Sequence, residues 1–163
     1  MAAGSTYTPI ATQTLGSAAS SITFSSIPNT YTDLILIASV QCTTGGNGTC
    51  LQFNGDSSAI YSLTLLAGDG SSASSARLAS QTSLQSGLVD TNWGTQIIHI
   101  MNYANTTTYK TALGRGNDGG LLRATVGLWP NTSAINSIKV LSAPNAYNFV
   151  AGSTFTLYGI AAA

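Results

Sequence analysis

The chain contains no glutamate. Its five basic residues, Arg77, Lys110, Arg115, Arg123 and Lys139, are matched by five aspartates in 163 residues. Glu, Lys, Arg and Gln are the polar residues that let a helix show one face to water at little conformational cost, so a chain nearly without them has little to build solvated helix faces from. What it has in quantity is Thr, Val, Ile and Tyr, which suit pleated half-buried surfaces, and Ser, Asn and 17 glycines, which suit turns. These choices predict an all-β protein whose polar surface is made of hydroxyls and amides.

Hydrophobic residues make up 44% of the chain and charged residues 6%. Disorder needs the opposite balance, low hydrophobicity with high net charge. A chain of this length can bury about 70% of its unfolded surface without metals or many disulfides. The basic residues are scattered and the net charge is zero, so nucleic acid and anionic membrane are not expected partners. Residues 1–15 hold no Lys or Arg and no continuous apolar run, so no Sec-type signal is read there and synthesis in the cytoplasm is expected. The apolar stretch 34–40 is too short to span a bilayer.

Strand-like runs recur at short spacing. They fall at 10–15, 21–24, 33–41, 50–53, 59–66, 96–103, 107–113, 121–128, 135–141 and 155–160. The strongest is 33–41, where Leu34, Leu36, Ala38 and Val40 share one face while Ile35 and Ile37 begin the other. Two apolar faces predict a strand near the middle of a sandwich. Thr43–Thr49 reads as a loop with an Asn47-Gly48 hairpin turn, and Asn54-Gly55-Asp56 as a second turn. The Ser-, Ala- and Gly-rich stretch 68–86 reads as a surface loop with a short helical turn near 76–79. The expectation is one domain over residues 1–163 with a short N-terminal arm, 1–9, and nine or ten antiparallel strands forming a sandwich, jelly roll or barrel, among which periodicity does not choose.

Little in the sequence carries chemistry. His99 is the only histidine, and its neighbours Ile98 and Ile100 point to a packed or half-buried ring. No ligand spacing joins it to the cysteines or aspartates, so neither a metal nor another cofactor is expected. Asp56, Asp69, Asp90 and Asp118 lie in Gly-, Ser- or Asn-rich turns, where a carboxylate serves the local backbone. One histidine, no glutamate and no nucleophile motif argue against an enzyme. Cys42 and Cys50 stand at the two ends of the expected hairpin, and the sequence leaves a disulfide and two free thiols equally open. Of the tryptophans, Trp129 stands at a strand end before Pro130, and Trp93, in a turn-like segment, is the one expected to be more exposed and the better interface residue. Tyr7 and Pro9 in the arm and Arg77 in the Ser-rich stretch complete the candidate interface.

Three segments then suggest a family: 22–41 (ITFSSIPNTYTDLILIASVQ), 105–116 (NTTTYKTALGRG) and 151–160 (AGSTFTLYGI). Together they resemble a group of small virion proteins of tailed bacteriophages, including phages of cyanobacteria and marine bacteria. The resemblance covers most of the chain and is weakest over 45–95. It implies a β-sandwich of jelly-roll type, trimeric on a virion surface, with no catalytic residues. The corresponding function is capsid decoration, in which a homotrimer sits on the major capsid protein and holds the head together. The arm 1–9 and the stretch 68–86 are the expected capsid-binding segments. The alternative is a tail-fibre tip or receptor-binding domain that recognises host surface glycans, against which the sequence shows no heptad shaft.

Overall fold

A computed structural model describes residues 6–45, 47–117, 119–143 and 147–161. Twelve strands run along them: β1 (Tyr7–Thr14), β2 (Ser21–Phe24), β3 (Asp33–Val40), β4 (Asn47–Phe53), β5 (Tyr61–Gly68), β6 (Ala73–Gln81), β7 (Leu84–Val89), β8 (Gly94–Met101), β9 (Lys110–Asn117), β10 (Leu122–Trp129), β11 (Ile138–Ala143) and β12 (Thr154–Ile160). No helix occurs among the described residues. The fold is the all-β antiparallel sandwich expected, with two or three strands more than the sequence suggested.

One sheet has eight strands in the order β1-β12-β3-β8-β9-β10-β5-β6, and the other has four in the order β2-β11-β4-β7. When β5–β6 and β9–β10 are set aside, eight strands remain, and the order is β1-β12-β3-β8 facing β2-β11-β4-β7. In that frame the chain crosses between sheets at nearly every connection, which is jelly-roll topology. The other four strands are two hairpins inserted into it. Both join the same edge of the larger sheet, beyond β8, and double its width.

The core lies between the sheets and follows the alternation of β3. Leu34, Leu36, Ala38 and Val40 point inward with Ile98 and Ile100 of β8 and Phe155 and Leu157 of β12, against Leu51 and Phe53 of β4 and Ile138 and Val140 of β11. Trp129 closes one end, its ring 5.5 Å from Phe53 and stacked on Tyr61 at 14°. The accessible surface is 7765 Å², close to the roughly 7,600 Å² expected of a compact monomer of this mass.

The inserted β9–β10 hairpin reaches across the open edge strand β7 of the small sheet. That close approach needs residues without a side chain. A Cβ on Gly114 of β9 would fall 1.8 Å from the Ser86 carbonyl oxygen of β7. A Cβ on Gly127 of β10 would fall 2.4 Å from the Leu84 side chain. Polar side chains tie β4 to its neighbours beside this seam: Ser86 Oγ of β7 donates to the Thr49 carbonyl at 3.2 Å, and Gln96 Nε2 of β8 donates to Thr49 Oγ1 at 2.8 Å.

Three expectations are corrected here. Residues 73–81, read as a loop with a helical turn, are strand β6, held by pairing with β5 from Gly68↔Ala73 to Tyr61↔Gln81. Asn47-Gly48 is not a hairpin turn but the start of β4, because both edges of β3 are taken by β12 and β8, and β4 runs between β11 and β7. The arm shortens, since Tyr7, Pro9 and the rest of 7–14 pair with β12 as strand β1, while 1–5 lie outside the described residues.

Candidate functional site

Antiparallel sheets that face water on one side alternate apolar-in and polar-out. The outer face of the eight-stranded sheet breaks that rule. Its register sets side chains in rows that cross all eight strands. One row runs Arg77, Thr64, Val126, Leu113, His99, Ile35, Tyr158, Pro9. The next runs Ser75, Leu66, Ala124, Arg115, Ile97, Ile37, Thr156, Thr12. Aliphatic groups occupy the middle of both. Leu122 is 67% exposed, Leu66 62%, Val126 52%, Ile37 39% and Leu113 38%.

The face is concave where the inserted hairpins meet the jelly roll. A groove of about 830 Å³ is floored by Ile37, Ile97, Ala124, Leu66 and Leu122, with Arg115 and Asn117 on its wall. Among the described residues neither the Arg115 nor the Arg77 side chain has a hydrogen-bond or ion-pair partner. Beyond the groove, β6 is an edge strand exposed on both faces over nearly its whole length. The other edges are guarded: β1 carries Pro9 and a bulge, β2 has only four residues, and β7 lies under β9 and β10.

His99 lies within this face, half-buried as expected. Its Nε2 is 2.8 Å from Asp33 Oδ2, and Asp33 Oδ1 accepts the Asn102 backbone N–H at 2.6 Å. The cross-strand neighbours of His99 are Ile35 and Leu113, and the next residues on its own side of the strand are Ile97 and Met101. The pair therefore pins the β8 end to β3 in aliphatic surroundings. Asp56 and Asp69 serve their turns. Asp56 is held below the usual carboxylate range first by Ser58 and further by Trp129, whose Nε1–H donates to it at 2.8 Å. Backbone N–H groups of Ser72 and Ser71 do the same for Asp69. Among the described residues no three His, Cys or Asp side chains gather as a metal would require.

Cys42 and Cys50 are buried free thiols. Cys42 bridges to Phe149, and Cys50 pairs with Leu141 and Gln85 in the small sheet, so the hairpin that would have aligned them does not exist. Burial pushes both up to about 11, with Asp90 adding to the effect at Cys42, so both are protonated and unreactive at neutral pH.

The four candidate interface residues are all exposed, but they are not one site. Tyr7 and Pro9 sit on edge strand β1, with the Tyr7 ring edge-on to Tyr158 at 6.2 Å. Arg77 is at the opposite edge, on β6. Trp93 is 49% exposed in the β7–β8 turn, near Gly152, whereas Trp129 is 1% exposed. The residues that dominate the face, Leu66, Leu122, Val126 and Leu113, were missed. For Leu66, Leu122 and Leu113 the sequence signal is two adjacent apolar residues, as at Leu65-Leu66, which puts one on each side of the sheet, whereas Val126, between Thr125 and Gly127, carries no such signal.

No protein-family model, curated protein or solved structure matches the chain.

Proposed function

We propose that this chain is a virion structural protein of a tailed bacteriophage, a capsid decoration protein made in the host cytoplasm that binds the major capsid protein as a surface homotrimer. The observation that carries the reading is the uncovered aliphatic face of the eight-stranded sheet. On a compact chain such a face is a contact surface, because the cost of leaving it in water is recovered only by association. The hairpins that widen this face are insertions into a jelly roll that would close without them. The family resemblance supplies the setting. The test is the copy number in purified virions by quantitative mass spectrometry. The expected result is a fixed ratio to the major capsid protein, with heads that become fragile when the chain is removed. A count of a few copies per particle would refute decoration.

A second reading, recognition of host glycans at a fibre tip, is favoured by Trp93 alone. Its exposed ring beside Gly152 is the kind of flat apolar surface on which a sugar stacks. That reading expects loss of host-surface binding in Trp93→Ala.

A further inference from the structure

We infer that the outer face of the inserted hairpins, centred on Leu66 and Leu122, is where a second copy of this chain docks. The inference deepens the decoration reading and rests on its premise that the chain works in an assembly.

Area comes first. From their fractional exposures, Leu66, Leu122, Val126 and Leu113 of the hairpins, with Ile37 of β3 and Met101 of β8 on the same side of the sheet, together leave roughly 500 Å² in water, within the upper part of the range for the largest patch on a monomer. A stable interface takes about 800 Å² from each partner, somewhat over half of it apolar. The face is therefore large enough to supply one side of a lasting contact. Nor is it left over from incomplete packing, because the total surface is that of an ordinary compact monomer.

Charge selects the occupant. The chain carries no net charge, so two copies meet without the mutual repulsion that keeps most soluble proteins apart. Arg77 and Arg115 are unpaired cations on this face among the described residues, while Asp33 is already bound to His99. A two-fold contact would turn the face onto itself and bring its own cations into one interface. A head-to-tail contact sets it against a different surface of the next copy, and repetition of that contact forms a ring when its rotation closes and an open filament when it does not. Such a ring is the arrangement a surface trimer requires.

The experiment is light scattering coupled to size exclusion, on the purified full chain from about 1 to 100 µM. The wild type is expected at a multiple of 16.6 kDa. Leu66→Asp with Leu122→Asp is expected at the single-chain mass, the dissociation constant raised at least about 100-fold, since two exposed leucines no longer contribute and each buried carboxylate adds a penalty. Both side chains are more than half exposed, so circular dichroism and Tm should match the wild type, which separates lost association from lost folding. Trp93→Ala, on the loop end, should remain assembled. A wild type that is monomeric throughout the range overturns the inference, as does an assembled double variant. Neither outcome touches the virion copy number, so the failure of this face and the failure of the decoration reading are told apart.

Discussion

Gly114→Ala tests the packing of the inserted hairpin on the small sheet. The added methyl would sit 1.8 Å from the Ser86 carbonyl oxygen, 2.8 Å from its carbon and 3.2 Å from Cα. All three are backbone atoms, so no rotamer change relieves the overlap. Van der Waals contact requires β7 and β9 to separate by roughly 1.5 Å. Strand β7 is not free to retreat, because it pairs with β4, and Ser86 and Gln96 both bond to Thr49. Separation opens the packing of Leu84 against Gly127 of β10. With the overpacking strain, the loss is about 3 kcal/mol, which lowers Tm by about 6–12 °C in a chain of this size. Two companions set the scale. At Gly127→Ala the nearest atoms all belong to the Leu84 side chain, which can turn away, so about 1–2 kcal/mol is expected. Gly16→Ala meets nothing within 4 Å and should stay within about 0.5 kcal/mol of wild type. Urea unfolding followed by tryptophan fluorescence gives all three values. If Gly114→Ala is as stable as Gly16→Ala, β7 does not lie against β9 and the described sandwich is wrong at that seam.

Other consequences are open to measurement. Trp129→Phe removes the N–H donor to Asp56 and part of the stack on Tyr61, and should cost about 2 kcal/mol by calorimetry. Asp56 is held below its ordinary value of 3.8 in the folded chain. Its contribution to stability is thus present above that value and is lost as pH falls toward the lowered one. Asp56→Asn should flatten the acid side of a stability–pH curve, and an unchanged acid limb would contradict the assignment. Lys110 is fully buried, with Nζ donating to the Thr108 and Thr132 carbonyls at 2.8 and 3.1 Å. Lys110→Met strands both acceptors and should cost about 2 kcal/mol in urea melts. In the native wild type an amine-reactive label should reach Lys139 well before Lys110. Cys42 and Cys50, buried and protonated, should react with a thiol reagent at pH 8 only as fast as the protein unfolds, and intact mass should show two thiols. Rapid labelling without denaturant would refute their burial.

Part of this architecture was legible residue by residue. Without glutamate, and with Thr, Ile and Val in alternation, the chain had no economical way to solvate helices, and it contains none among the described residues. Strand β2 falls where its sequence placed it, and β3 within one residue. Asn54-Gly55-Asp56 turns as read, with Asn54 at φ 53 and Gly55 at φ 72, because those residues tolerate the left-handed region. Trp93 is the more exposed of the two tryptophans, as its turn-like neighbours implied.

Strand β6 was not legible. Its sequence ASSARLASQ has neither the β-branched content nor the alternation that marks a strand, and it is extended because β5 presents a free edge to it. Asn47-Gly48 shows the reverse, a strong local turn signal overridden by long-range pairing. The segment Ile35-Leu36-Ile37 states the limit most plainly. Its alternation fixes that one isoleucine pair faces one way and the leucine the other. Whether both sides are covered depends on where a second sheet lies, and the second sheet here has four strands against eight. Side-chain alternation is set within a strand, by the geometry of consecutive residues. Coverage of a face is set by pairings between residues far apart in the chain, so only the tertiary structure decided which apolar residues became core and which became a surface to be met by something else.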